Sequence, residues 1–384
     1  MITEIKLENF KGHQSTQLYL DDSRLHALVG KNSSGKTSVL KALYYFRMLI
    51  GNSFSTVFWG ESSPDFLIGY THQEMSVTIQ FISDNKQLKY GYYGFKNKPE
   101  THHKHQSWEG KISVVEDIQD LLSKTSHPWS EHIYGKLPKV LEYMFYFKLS
   151  ASNLSKAAYS EDIDPKIQFN GSGLAPTLDY LRNEDIEKFQ ELQKMLQRIV
   201  PNVKKIRIQR AKVEVNHHRS IAIDGREITY DENQERIGQE IVFDMNTGDR
   251  IPAHAVSEGT ILALGLLTVL MNSNKPQLVL LDDIEQGLHP RAQRELIAIF
   301  KEIIQTNPNL QIIFTTHSPY IVDELDFSQV HVLDTNSSGF TTCKRLDEHP
   351  DVEWAKQTLT TGEFWNAEGE EWVNEKVPEE GVNV

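Results

Sequence analysis

Hydrophobic residues at the start of the chain recur at short intervals: Ile2, Ile5, Leu7 and Phe10, then Leu18 and Leu20. This spacing predicts two short strands joined at Lys11-Gly12-His13. A further strand, Arg24 to Val29, runs into a glycine-containing loop. From Ser38 the period changes to three and four residues (Val39, Leu43, Phe46, Ile50), which predicts an amphipathic helix. Alternation returns over 66–95, with Val77, Ile79 and Phe81, then Tyr90 and Tyr92, as in antiparallel strands. The polar stretch Asn97 to Glu109 reads as a loop. Helical character is expected near 116–148 and over 176–199, where Leu178, Leu181, Phe189, Leu192, Leu196 and Ile199 share a face before Pro201. Residues 203–250 read as strands and turns, with Asp224-Gly225 and Thr247-Gly248 as turn signals. From Ser257 the order is helix 257–271, strand 277–282, helix 290–305 and strand 310–316, the alternation that builds a parallel sheet.

The composition, 39% hydrophobic and 24% charged over 384 residues, is that of a globular protein. It excludes wholesale disorder and collagen-like repeats. Forty basic against 53 acidic residues give a net charge of −13, which argues against whole-surface affinity for nucleic acid but not against a local basic patch. The single cysteine, Cys343, excludes an internal disulfide and a multi-cysteine zinc site. Met1 to Lys6 lacks a signal pattern. The longest apolar run, Ile261 to Met271, is half of the about 20 residues that span a bilayer and reads as a buried helix. The expectation is a cytoplasmic protein without membrane contact.

Gly30-Lys31-Asn32-Ser33-Ser34-Gly35-Lys36-Thr37 matches the phosphate-loop pattern Gly-x-x-x-x-Gly-Lys-Ser/Thr in full. Gly30 and Gly35 permit the backbone angles that turn amide N–H groups inward on phosphate oxygens. Lys36 places a charge on the β- and γ-phosphates, Thr37 offers a hydroxyl to magnesium, and the following helix adds its positive end. The apolar strand Leu278 to Leu281 ends in Asp282-Asp283; in a nucleotide site the first acid holds magnesium and the second orients or deprotonates water. Ser257-Glu258-Gly259 opens the apolar helix, so Ser257 is either an N-cap or, with Gly259, part of a γ-phosphate receptor. Ile312 to Thr316 is a strand running into His317.

In this order the motifs resemble an ABC-type ATPase head of the RecF, SMC and OLD branch, specifically the compact AAA-21 ATPases. The resemblance begins at Ile5-Lys6-Leu7-Glu8-Asn9-Phe10-Lys11 and includes the Walker A loop 30–37 and Asn170-Gly171-Ser172-Gly173-Leu174-Ala175. It continues through the signature-like Ser257-Glu258-Gly259, Walker B at 278–283, the D-loop-like Gly287-Leu288-His289-Pro290 and the switch-like Thr316-His317-Ser318-Pro319. It implies a P-loop α/β fold with a parallel-sheet core, an antiparallel β subdomain and a helical lobe. The nucleotide-binding lobe is expected at about 1–115 and 272–346, the helical and signature lobe at about 116–271, and an acidic tail at 347–384. It also implies ATP and magnesium as ligands, with nucleotide contacts at Lys11, Gly30, Asn32, Ser33, Ser34, Gly35, Lys36, Thr37 and Ser38, and with metal at Thr37 and Asp282. Two heads would sandwich ATP, Ser257 and Gly259 of one completing the site of the other, His317 sensing the γ-phosphate, in a dimer or higher oligomer.

The chain departs from the family at Asp282-Asp283-Ile284-Glu285, where Asp-Glu-Pro-Glu or Glu-Glu-Pro-Glu is usual. Asp283 takes the catalytic position with one methylene fewer, and Glu285 is the alternative acid. No long coiled coil lies between Walker A and the signature, and the chain after His317 is too short for an OLD-type nuclease domain. A nuclease-like effector is therefore expected on another chain, with the ATPase as its switch in bacterial anti-phage defence. Lys204, Lys205, Arg207 and Arg210 keep open a RecF-like DNA-binding repair role. The short Asp283 keeps open a scaffold with weak hydrolysis. His102, His103 and His105 read as a solvated loop. In the tail, Phe364, Trp365 and Trp372 either dock on the body or, as Gly362 to Trp372, on a basic partner.

Lys36→Ala is expected to abolish ATP binding, because the clustered phosphate charge loses its ammonium; titration with a fluorescent nucleotide measures this, and unchanged affinity would remove the Walker A assignment.

Overall fold

The structure, a computed structural model, describes residues 1–49, 52, 57–58, 74–83, 86–96, 108–114, 139–223, 226–271 and 276–374. Its strands are β1 (Ile2–Phe10), β2 (His13–Tyr19), β3 (Leu25–Val29), β4 (Glu74–Ser83), β5 (Lys86–Lys96), β6 (Trp108–Val114) and β7 (Met144–Phe147). There follow β8 (Val203–Ile223), β9 (Arg226–Met245), β10 (Arg250–Pro252), β11 (Leu278–Leu281), β12 (Gln311–Thr315), β13 (Val330–Thr335) and β14 (Thr341–Arg345). They form sheets ordered β2-β1-β4-β5-β6, β10-β9-β8 and β14-β13-β3-β12-β11-β7. The chain divides into two compact units: Met1–Tyr146, Pro276–Glu285 and Ile304–Val384; and Phe147–Lys275 with Gln286–Ile303.

In the first unit, β3, β12 and β11 run parallel side by side, with β13 parallel to β3 on its other flank. Every residue of β3, β11 and β12 is buried, as the continuous apolar runs require of strands covered on both faces. The antiparallel sheet buries Ile2, Ile5, Leu7 and Phe10 of β1 with Val77, Ile79 and Phe81 of β4. That three-two-three spacing is not strict alternation. A register shift between Ile2 and Glu4 and a left-handed Asn9 (φ 52°) return the apolar side chains to one face. The buried amide of Gln311 ties β12 to β1, accepting from Ile2 N–H at 2.8 Å and donating to Ile2 C=O at 3.0 Å. The helix Lys36–Leu49 follows the glycine loop and buries Val39, Leu40, Leu43, Phe46 and Leu49.

The second unit carries the β8–β9 ribbon and the helix Glu258–Leu270, whose residues from Gly259 onward are all buried, as its all-round apolar sequence predicts. The single helix expected over 176–199 is two, Leu174–Glu184 and Ile186–Ile199. Asp185 breaks it by leaving helical angles (φ −143°) and capping the second helix through Lys188 N–H at 3.0 Å. Leu178, Leu181, Phe189, Leu192, Leu196 and Ile199 are nevertheless all buried. Two further corrections come from strand formation: Met144–Phe147 is strand rather than helix, and Trp108 and Glu109 open β6 rather than close a loop. His102, His103 and His105, the turn Asp224-Gly225 and the expected helix over 116–138 lie outside the described residues.

The tail reading that docks Gly362 to Trp372 on a partner is overturned. Within the first unit, helices Val352–Thr358 and Thr361–Glu368 follow β14, and Phe364, Trp365 and Trp372 are buried. Phe364 packs against Phe327 and His349 at centroid distances of 5.7 and 4.9 Å, and His349 meets Trp372 edge-on at 4.8 Å. Asp323 accepts from the Thr360 hydroxyl at 2.6 Å and from Gly362 N–H at 3.0 Å. Gly362 lies so close to Pro319 C=O that a Cβ would stand 2.1 Å from it. Acidic composition speaks only for the solvated face; the apolar surface of the rings outweighs it.

Phe364→Ala should destabilise the protein by about 3–5 kcal/mol in urea unfolding, and truncation after Leu359 should yield insoluble protein. Soluble, fully active truncated protein would contradict this packing.

Candidate nucleotide-binding site

Ligand sites in parallel sheets form at the carboxyl ends of the strands. Here β3 ends in the Gly30 loop, β11 in Asp282-Asp283 and β12 in Thr315-Thr316-His317, with β12 between the other two. The loop has left-handed backbone at Gly30, Ser33 and Gly35 (φ 140°, 66° and 97°). Gly30 and Gly35 are also sterically required. A Cβ on Gly30 would lie 2.0 Å from Leu333 C=O, and one on Gly35 would lie 2.7 Å from both His13 Nε2 and Thr341 Oγ1. His13, buried in β2, places Nε2 3.2 Å from Gly35 C=O and Nδ1 3.0 Å from Thr16 Oγ1. The phosphate loop thus rests on the β1–β2 hairpin and on β13–β14.

Lys36 is buried, and its Nζ donates to the carbonyls of Gly30 and Lys31, each at 2.8 Å. Burial pushes its pKa down, while Asp283 and Asp282 oppose the shift. An ammonium held by neutral carbonyls at the open end of an N–H nest fits a phosphate group. The Thr37 hydroxyl lies 3.0 Å from Asp282 Oδ1 and 3.2 Å from Oδ2. No cluster of three acidic, histidine or cysteine ligands occurs among the described residues. The adjacent Thr37 hydroxyl and Asp282 carboxylate fit magnesium, which takes one or two protein oxygens and completes its shell with phosphate and water. Magnesium, when bound, supplies charge neutralisation and polarisation of the phosphoryl oxygens.

Asp282 is buried and is also approached by Thr315 Oγ1 at 2.8 Å and Tyr146 Oη at 3.4 Å. Burial and this carboxylate push the Tyr146 phenol far above its usual range, so it remains a donor. Asp283 takes left-handed backbone (φ 57°) and donates its N–H to Thr315 Oγ1 at 2.8 Å. Glu285 Oε1 accepts from His317 N–H at 3.0 Å, which joins the Walker B turn to the switch-like loop. His317 itself is exposed. Lys31 projects from the phosphate loop toward Glu371 at 3.4 Å and Glu370 at 4.0 Å. Asp334 first, then this pair, raises the Lys31 pKa.

The first unit therefore gathers Gly30, Ser34, Gly35, Lys36, Thr37, Asp282, Asp283, Glu285 and His317. Asn32 and Ser33 are exposed at the loop tip, and Ser38 N–H bonds Gly35 C=O at 2.9 Å in the first helical turn. Lys11 lies in the β1–β2 turn with φ 52°. Ser257 and Gly259 belong to the second unit, where Ser257 caps its helix through Thr260 N–H at 3.3 Å. Gly259 meets the Gly287 backbone so closely that a Cβ would stand 2.2 Å from Gly287 C=O. Of the basic stripe, Arg207 pairs with Asp244 at 2.6 Å, and Lys212 beyond Arg210 pairs with Glu235 at 2.8 Å. Lys204, Lys205 and Arg210 are exposed. Residue patterns did not single out His13, Tyr146 or Thr315. Only for Thr315 is there a signal, a polar residue ending an apolar strand just before Thr316-His317.

Residues 25–323 match the AAA_21 family, described as "AAA domain, putative AbiEii toxin, Type IV TA system", and the chain belongs to that family. It is an ABC-type ATPase head of the RecF, SMC and OLD type. An "ATP/GTP phosphatase" of Helicobacter pylori is 23% identical over 85% of this chain and 88% of its own. The SMC head bound to the C-winged helix domain of ScpA superposes with a TM-score of 0.54 at 14% identity, over 89% of this chain and 96% of that one, and shares the fold. A Septu protein PtuA of Bacillus thuringiensis is 31% identical over 87 residues, 23% of this chain and 20% of that protein. No helix among the described residues is long and apolar enough to cross a membrane.

Three buried histidines of the first unit make its stability acid-sensitive. Burial pushes His13 and His26 from 6.5 down to about 4, and His331 well below its usual value. Between these values the unfolded chain takes up protons that the fold excludes, so stability falls as pH drops from 6.5 toward 4. The loss should reach ~3 kcal/mol for each of His13 and His26 once fully titrated. Urea midpoints at pH 7.5 and 5 measure it, and His13→Gln should flatten the slope; equal midpoints would contradict neutral burial.

Proposed function

We propose that this protein hydrolyses ATP at the Walker site and works as an ATP-dependent dimeric switch for a separate effector chain, nuclease-like in character, in anti-phage defence. The observation that carries the hydrolytic reading is the convergence of Lys36, Thr37, Asp282 and Asp283 at the ends of β3 and β11, which flank β12, with Thr37 and Asp282 hydroxyl-to-carboxylate at 3.0 Å. Thr37 and Asp282 would hold magnesium, and Lys36 and the loop amides would hold the phosphates. Asp283, which directly follows the metal-holding Asp282, is the acid that orients the attacking water, and Glu285 Oε1 holds the His317 backbone. That engagement lets His317 report on the phosphate to the Walker B turn.

The Helicobacter pylori relative's name supports nucleotide hydrolysis. The short resemblance to a Septu protein supports the defence role. An SMC head of this fold with a bound ScpA domain supports control of a separate chain. In the dimer, Ser257 and Gly259 of one head face the nucleotide of the other, and residues 1–346, with the helices Val352–Thr358 and Thr361–Glu368 packed in the first unit, act as the ATPase head.

Asp283→Asn keeps the left-handed turn, which asparagine tolerates, and removes the base. It should lower kcat about 100-fold or more and accumulate an ATP-bound dimer in light scattering. Glu285→Gln still accepts from His317 N–H and should stay within about 10-fold of the parent. Parental turnover by Asp283→Asn would place the water-orienting acid elsewhere.

A further inference from the structure

Thr315 is fully buried at the carboxyl end of β12, between the strand that delivers the phosphate loop and the strand that delivers the acids. Its hydroxyl makes two contacts of 2.8 Å: it accepts the N–H of Asp283, and it faces Oδ1 of Asp282. Asp283 Oδ1 is farther, at 3.4 Å. A hydroxyl has one proton to give, so the proton goes to the nearer carboxylate, Asp282. One side chain therefore fixes the backbone of the second acid and the carboxylate of the first.

The fixing matters because of two features of Asp283. Its backbone lies in the left-handed region (φ 57°), which few non-glycine residues occupy. Its side chain is short, so the position of its carboxylate follows its backbone more closely than a glutamate's would.

We propose that Thr315 is a positioning residue for hydrolysis, setting the metal-holding and water-orienting acids in a fixed mutual relation through a single hydroxyl. The proposal rests on the roles given above to Asp282 and Asp283. Thr315→Val keeps the shape of the side chain, removes the donor to Asp282 and leaves the Asp283 N–H without its acceptor. Thr315→Ser keeps both contacts.

The test uses the full chain and two readouts: Mn²⁺ affinity by electron paramagnetic resonance with a non-hydrolysable ATP analogue, and kcat and KM for ATP. Thr315→Val should weaken Mn²⁺ binding about 10-fold and lower kcat by roughly 10- to 100-fold, with KM within about 3-fold of the parent. Thr315→Ser should restore both. Should Thr315→Val fail to fold, Thr315→Cys, of similar size but a weak donor, should show the same losses. Parental Mn²⁺ affinity and kcat in the valine and cysteine variants, or equal losses in the serine variant, would overturn the proposal. If Asp283→Asn turns over like the parent, the water-orienting reading falls, while the Mn²⁺ measurement still judges Thr315 on its hold of Asp282.

Discussion

A carboxylate taken out of water must be surrounded by donors or lose its charge. Asp282 is such a carboxylate, and the first unit is built around meeting its needs. Its donors come from three separated places in the chain: Thr37 after β3, Thr315 at the end of β12 and Tyr146 in β7. They coincide only because β12 lies between β3 and β11, and β7 lies beyond β11. The buried Lys36 ammonium on the facing loop is the electrostatic complement.

The phosphate loop has an equally specific seat. Gly30 and Gly35 are commonly explained by backbone freedom, and their positive φ values agree. Here they also leave no room for a side chain, since Leu333, His13 and Thr341 press against them. The β1–β2 hairpin and the β13–β14 pair therefore act as a cradle, with the buried His13 against Gly35 C=O. Glycine at 259 follows the same logic in the second unit, where the Gly287 backbone occupies the space.

The last described segment shows how composition and packing can point in different directions. Of its carboxylates, Glu370 and Glu371 reach Lys31 on the phosphate loop and Asp347 pairs with Arg345, while Phe364, Trp365 and Trp372 are buried. The Thr360–Glu363 capping box and the Asp323 bonds fix where the helix begins.

Local pattern was enough for much of this molecule. Apolar runs marked β3, β11 and β12, the all-round apolar sequence marked the buried helix Glu258–Leu270, and the Gly30 to Thr37 spacing marked the phosphate loop, because each property resides in a few consecutive residues. The order of motifs identified the ATPase class. Periodicity failed where a single residue changed the backbone, at Asp185, since a count of apolar positions does not register one cap conformation. His13, Tyr146 and Thr315 were not legible as site residues, because their significance is contact with residues 22, 136 and 33 positions away. Strand order creates those contacts, and strand order is a property of the packed sheet rather than of any segment within it.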